Sequence, residues 1–295
     1  MLADEQEIRM RERIRTVAMA LPLAWMFATP GLAHTVELKP ETVEPFERYV
    51  RQAEQRMEDE LRAGKPFLLP DGWPEERRDQ TYQQLRRGEM VIERVNKEKG
   101  GAEARVPRGL IHHWAGIVFI PGATLDRALT VFQDYDHHQT VYSPEVLRSR
   151  LLWRQGDDFH IFLRLRKHKV VTVILDTEYD VHFARLDSHR AYSRSHSTRI
   201  AEVENPGRSD ERDLPPGNGH GFLWELDTYW RFLEVADGVF IQCEAISLTR
   251  DVPTGLGWLI GPFVQSIPRE SLEFTLTTTR KVVVARQAAV AGPNL

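Results

Sequence analysis

The sequence predicts an α+β fold, an antiparallel sheet closed by one long C-terminal helix and preceded by a helical extension. Three observations carry that expectation. From Gly109 to about residue 250, apolar and polar residues alternate with the period of two that strands impose. Clusters of glycine, proline and aspartate punctuate those runs as turns. From Ser266 to Arg286 the spacing becomes helical, with Leu272, Leu276, Thr279, Val282 and Val283 on one stripe.

The chain has 295 residues, of which 41% are hydrophobic and 28% charged, enough to bury a sizeable core. A net charge of −4 lacks the basic footprint of a nucleic-acid binder, and no nucleic-acid partner is expected. The single cysteine, Cys243, excludes an intrachain disulfide and a thiolate-rich zinc site.

The N-terminus has the order of a secretory signal. Residues 9–15 (RMRERIR) are basic and residues 16–33 (TVAMALPLAWMFATPGLA) carry no charge. Gly31 and Ala33 then put small residues just before a cut at His34. Residues 1–33 are therefore expected to direct export to the periplasm or the medium. The alternative is a membrane anchor formed by residues 16–33, which lie at the short edge of a membrane span.

Residues 34–108 read as a helical extension and linker. Within 41–63, Val43, Phe46, Val50, Ala53, Met57 and Leu61 recur at helical spacing opposite a charged face, and Gly64 with Pro66 ends the run. This helix is expected to dock on the domain or on a partner. A short helix around 75–87, a strand at 89–95 and a polar loop at 96–108 follow.

Residues 110–120 (LIHHWAGIVFI) are β-branched and aromatic, and Pro121-Gly122 stops them as a strand. Leu125, Ala128, Leu129 and Phe132 restore helical spacing, with Thr124 at the N-cap, and 135–145 reads as a helical turn. Strands follow at 147–154, from Phe159 through Phe183, and at 190–203. After a long polar loop come strands at 222–235 and 239–250. Residues 253–268 read as a turn-rich segment with short helical turns, and Pro268 falls near the first turn of the last helix.

That order resembles the START/SRPBCC superfamily, the helix-grip proteins that include lipid-transfer domains and polyketide cyclase-like proteins. Two segments carry the resemblance: GLIHHWAGIVFIPGATLDRALTVFQDYDHH at the start and DVPTGLGWLIGPFVQSIPRESLEFTLTTTRK at the close. It covers residues 109–290 and leaves 34–108 outside. The resemblance implies a curved sheet wrapped around the last helix, with a cavity between them for a hydrophobic small molecule or lipid. A single helix covers only part of so large a sheet face, which agrees with unfilled concave space. The alternating residues Phe159, Ile161, Leu163, Val173, Tyr179, Trp224 and Trp230 are expected to face inward. Arg194 offers an anchor for a carboxylate or head group if its side of the 190–203 strand turns inward. The apolar lip with Trp258, Leu259, Ile260 and Phe263 would touch a membrane, or else pack beneath the last helix.

Other constellations carry weaker chemistry. In DYDHH, Asp134 would face His137 and His138 along a helix, a metal-like grouping that equally describes a polar helix end. His112 and His113 sit on a strand and must face opposite sides. Ser195 and His196 do likewise, so they make no nucleophilic pair. Glu225 and Asp227 share a face and are expected to oppose Arg or Lys on a neighbouring strand. GLGWLIGP lacks the Lys-Ser/Thr end of a phosphate loop. No catalytic residue, metal or cofactor is assigned. The leading expectation is an exported binding protein. An acid–base enzyme of the cyclase or dehydratase type would instead place a titratable His or Arg in the cavity. A partner-docking protein would leave Val43, Phe46 and Val50 exposed.

Overall fold

The computed structural model describes residues 35–95, 104–169, 171–251 and 257–291, the last as a helix with side chains described at 266–286. The expected export signal, residues 1–33, and the side chains of Trp258, Leu259, Ile260 and Phe263 lie outside the described residues.

The chain opens with β1 (Val36–Glu37) and the helix α1 (Pro40–Ala63), which starts on a proline and ends on left-handed Gly64. A 3₁₀ turn (Leu69–Gly72) and α2 (Glu75–Arg86) lead into β2 (Val91–Arg94), β3 (Ala104–Val106) and β4 (Gly109–Pro121). Next come α3 (Leu125–Gln133), a 3₁₀ turn (Tyr135–His137) and α4 (His138–Val141). The Thr124 hydroxyl accepts from the Arg127 amide at 3.4 Å, as an N-cap does. Four strands follow: β5 (Val146–Gln155), β6 (Asp158–His168), β7 (Thr172–Arg185) and β8 (Arg190–Glu204). The polar loop carries β9 (Arg212–Asp213) and β10 (Asn218–Gly219), and β11 (Glu225–Val235) and β12 (Gly238–Arg250) precede α5 (Gly257–Ala291).

The main sheet is antiparallel throughout, in the order β2-β4-β12-β11-β8-β7-β6-β5, with β3 also on β4. Its first long strand and its last are therefore neighbours. The helix α5 lies against β4 and β12. Gly116 permits that approach, because a Cβ there would stand 2.6 Å from Leu276 Cδ1 and 3.1 Å from Leu272 Cδ2. The architecture is helix-grip. One correction concerns α5, which begins at Gly257 rather than near Ser266, so Pro268 lies inside the helix and not in its first turn. Glycines and prolines in 255–268 lower intrinsic helix propensity, which hides the start of the helix in the sequence.

The edge strand β5 is covered by the segment just before it. Gln139 Oε1 accepts from the Ser149 amide at 2.9 Å, and Asp136 Oδ1 accepts from the Leu151 amide at 2.9 Å.

Both faces of the sheet are apolar at the centre, and each has its own cover. On the concave side, α3 and α5 bring Leu125, Ala128, Phe132, Leu272, Leu276 and Val283 against Val118, Phe232 and Ile241. On the convex side, α1 packs Phe46, Val50, Ala53 and Met57 on Ile111, Tyr229, Ile246 and Leu248. Beside it, Phe67, Leu68 and Leu85 cover Ile117, Phe119 and Phe240. The partner-docking expectation required Val43, Phe46 and Val50 to be exposed. Val43 is half-buried, and Phe46 and Val50 are 3% and 7% exposed, because the extension docks on its own sheet.

The extension is then part of the folding unit. Phe46→Ala is expected to lower stability by about 3–5 kcal/mol while unfolding stays a single transition. A urea titration followed by both tryptophan fluorescence and circular dichroism checks this, and two separated transitions would contradict it.

Candidate functional site

Burial along β11 runs against the usual pattern. Its polar members Asp227 and Arg231 are buried, with Tyr229 between them, while Leu226, Thr228 and Trp230 are half-exposed. The register explains which face is which. Trp230 stands opposite Cys243 on one side and Ser193 on the other, and Cys243 stands opposite Gly116, beneath α5. Leu226, Thr228 and Trp230 are thus on the concave face, and Asp227, Tyr229 and Arg231 are on the convex one. The concave wall continues through half-exposed Trp114, Ala245 and Leu163. Since α5 sits over β4 and β12, the concave face of β11, β8, β7 and β6 is only partly covered. These partly exposed apolar side chains on the concave face, called the chamber below, mark the candidate site.

The chamber wall is apolar with inset hydroxyls. Ser193 and Ser195 are buried on it, as is Thr177, which donates to the Leu163 carbonyl at 2.8 Å. The Trp114 Nε1 is buried and has no hydrogen-bond partner, and the Tyr179 hydroxyl is buried beside the Thr177 side chain. Burial pushes the Tyr179 phenol up to about 12. At one edge, Arg94 lies over the Trp114 ring at 4.8 Å. A hollow of about 500 Å³ opens beside α3, where Leu129, Gln133, Phe183 and Ala191 line it and Asp126 pairs with Arg185.

The convex face has the opposite character. His113 Nε2 meets Glu244 Oε1 at 2.7 Å, and its Nδ1 meets the Tyr49 hydroxyl at 2.7 Å. Arg56 bridges Glu244 and Glu60, and Arg231 binds Glu60 at 2.7 Å and the Phe67 carbonyl at 2.8 Å. Burial alone would raise the Glu244 carboxyl, but His113, Arg56 and Arg231 together hold it below its ordinary value. This network ties α1 to the sheet. A saturated ion network under a helix is a structural joint, not a substrate pocket.

Most of the inward-facing residues read from the sequence come together. Phe159, Ile161 and Tyr179 are buried in the concave core, with Leu163 and Trp230 packed against it. Val173 stands opposite Lys167 near the end of β7, only half-buried and outside that core. Two placements are corrected. Trp224 precedes β11, so strand alternation no longer binds it, and it packs with Phe46 and Tyr229 on the convex side. Arg194 stands opposite Tyr229, which turns it to the convex face, where it pairs with Glu58 at 2.9 Å. Sequence reasoning missed Trp114, Thr228 and Leu226 as chamber residues. Leu226 had the right phase, and Trp114 is the one aromatic residue at an even position in the first half of β4.

The remaining constellations are engaged elsewhere. Asp134 binds His137 at 2.6 Å and Arg286 at 2.9 Å, and His138 is buried against the Val131 carbonyl. Burial drives the His138 imidazole down to about 4. His112 and His113 do face opposite sides, with His112 Nε2 2.9 Å from the Thr249 hydroxyl. Among the described residues no three His, Cys, Asp or Glu side chains converge on a metal position. Among them, too, no helix is long and apolar enough to cross a membrane. Glu225 and Asp227 oppose no Arg or Lys, contrary to expectation. The register gives Asp227 the His196 imidazole at 3.3 Å, and Glu225 accepts from the Ser197 hydroxyl at 2.8 Å.

The strand order and closing helix agree with the helix-grip architecture expected from the sequence. No family model and no curated protein matches the chain. Similar solved structures include a Thermus thermophilus protein, 16% identical over 58% of this chain and 97% of its own, with a TM-score of 0.42. A STAR-related lipid transfer protein from Xanthomonas axonopodis is 18% identical over 62% of this chain and 97% of its own, with a TM-score of 0.41. An aromatase/cyclase from a Streptomyces species is 13% identical over 62% of this chain and 98% of its own, at 0.38.

One titration follows from the convex face. Burial pushes the Glu225 carboxyl up to about 7, and the charges of Asp227 and Glu47 add to this. A carboxyl raised in the fold stabilises it while protonated. That contribution is complete below the ordinary 4.5 and is lost as pH rises through about 7. Glu225→Gln, which keeps the protonated shape, is expected to match the wild type at pH 5 and to exceed it at pH 8 by roughly 1–2 kcal/mol. Parallel stability curves for the two proteins between pH 5 and 8 would contradict this.

Proposed function

We propose that this chain binds a hydrophobic, lipid-like small molecule in the concave chamber and carries it without covalent chemistry. The observation that carries this reading is the burial pattern of β11, which leaves Leu226 and Trp230 half-exposed in mid-sheet and buries Asp227 and Arg231. Holding apolar side chains open to water is unfavourable, by about 25 cal/mol per Å². An apolar guest filling the chamber removes that cost.

The carrier works outside the cytoplasm in this proposal. The basic run at 9–15, the uncharged run at 16–33 and the small residues Gly31 and Ala33 support export with a cut before His34. The apolar residues Trp258, Leu259, Ile260 and Phe263 would meet a membrane when the guest is exchanged.

Native mass spectrometry of the protein purified from its own host tests both parts. The expected result is a chain beginning at His34 with a bound hydrophobic molecule that organic solvent extracts. Repeated absence of any co-purifying or competing hydrophobic ligand would sink the binding reading, and an uncut chain confined to the cytosol would sink export.

A further inference from the structure

The convex side of the sheet is covered by α1 only in part. That helix packs on β4, β12 and β11 and leaves the outer strands β6 and β5 to solvent. On β6, Phe159 and Ile161 are buried in the concave core, so His160, Phe162, Arg164 and Arg166 belong to the convex face. The register sets Arg148, Arg150 and Trp153 of β5 opposite Arg164, Phe162 and His160. Arg148 therefore stands directly beside Arg164, a like-charge pair that is unfavourable in a sheet. Asp176 at 2.7 Å and Glu211 at 2.9 Å neutralise Arg164. Among the described residues, no carboxylate pairs with Arg148, Arg150 or Arg166. Arg150 lies instead over the Phe162 ring at 5.9 Å. The acids of β7 next to this column are engaged, Glu178 and Asp180 by His160 at 3.3 and 2.7 Å.

Exposed apolar side chains stand among these arginines. Trp153 is 48% exposed, Leu147 43% and Leu152 39%. The two leucines fall at the register shifts of the β5–β6 pairing, and the Trp153 ring stacks on His160 at 6.0 Å. The run 147–154, LRSRLLWR, holds three arginines and no acid, in a chain whose net charge is −4. A local cationic surplus on an acidic protein, bought at the expense of a like-charge strand pair, marks a surface shaped for an anionic partner.

The apolar residues decide which partner. Free phosphate would use the arginines and leave Trp153 and the leucines idle. A nucleic-acid strand would stack bases on aromatic rings, but His160 already covers one face of Trp153, and Leu147 and Leu152 offer no ring. An anionic lipid leaflet engages the whole set. Guanidinium forks take the phosphates, a tryptophan settles at headgroup level, and leucines enter the acyl boundary.

We infer that the convex face of β5 and β6 docks the protein on an anionic lipid surface, through Arg148, Arg150 and Arg166 with Trp153, Leu147 and Leu152. This face is separate from the chamber, so a chamber that holds no guest leaves the docking intact and the two readings fail separately.

The test uses the full chain and sedimentation with vesicles of phosphatidylcholine, alone or with about 30% phosphatidylglycerol. Wild type is expected to bind the anionic vesicles and to leave them as salt rises from about 0.05 to 0.5 M. Arg148→Gln combined with Arg150→Gln should weaken binding about tenfold or more, because each arginine at an anionic surface contributes roughly fivefold. That double variant should melt at or above the wild-type temperature, since it relieves the like-charge pair, which separates lost docking from lost folding. Arg62→Gln combined with Arg87→Gln removes the same charge elsewhere and should change binding by less than about twofold. Lipids with brominated acyl chains should quench the wild type more than Trp153→Phe. Equal weakening by the two double variants would overturn the inference, as would equal quenching of wild type and Trp153→Phe. A single-stranded oligonucleotide that binds more tightly than the vesicles, through the same arginines, would overturn it in favour of nucleic acid.

Discussion

The close approach of α5 to β4 at Gly116 is the constraint on which the rest of the concave side depends. With no Cβ at that position, Leu272 and Leu276 reach the backbone of β4, and the helix settles over β4 and β12. A helix is about 10 Å wide and two strands cover about the same span. One helix seated on one end of the sheet leaves the strands from β11 to β6 to α3 and to their own side chains, which bury most of that face but not all of it. Their wall of Leu163, Leu226 and Trp230 stays half-exposed as a geometric consequence of where the helix is fixed.

The convex side answers a different demand. Here the sheet carries His113, Glu244 and Arg231, which no apolar layer could cover alone. The helix α1 supplies both kinds of contact at once, with Phe46 and Met57 for the apolar part and Tyr49, Arg56 and Glu60 for the ionic part. An ion network of this kind fixes register more than it adds stability. The extension is held at one angle and one height, and the sheet beneath it keeps the curvature that shapes the chamber on its other side.

The element order, the sheet, the closing helix and most of the inner wall were legible because period two and period 3.6 leave distinct marks. Phe159, Ile161, Leu163, Tyr179 and Trp230 kept their phase since each lies inside a paired strand. Trp224 lost it because pairing alternation begins only at Glu225. The 190–203 strand was ambiguous because both its faces are polar, and only its register against Trp230 and Tyr229 decides between Ser193 and Arg194. The start of α5 was hidden by glycines and prolines, whose local preference is against helix. The burial of Asp227 and Arg231 was out of reach for another reason. A polar side chain in a strand reads as solvent-facing until the helix that covers it has been placed.

The covered edge at β5 has a consequence for how the protein behaves among copies of itself. A sheet that ends in a long bare strand offers its amide groups to any other chain with an exposed edge, and such pairing propagates. A strand approaching β5 would find the Ser149 and Leu151 amides already engaged by Gln139 and Asp136. Two register shifts in the β5–β6 pairing further bend that edge away from the flat template that stacking needs. Along that stretch the edge is closed to strand addition by side chains of its own chain.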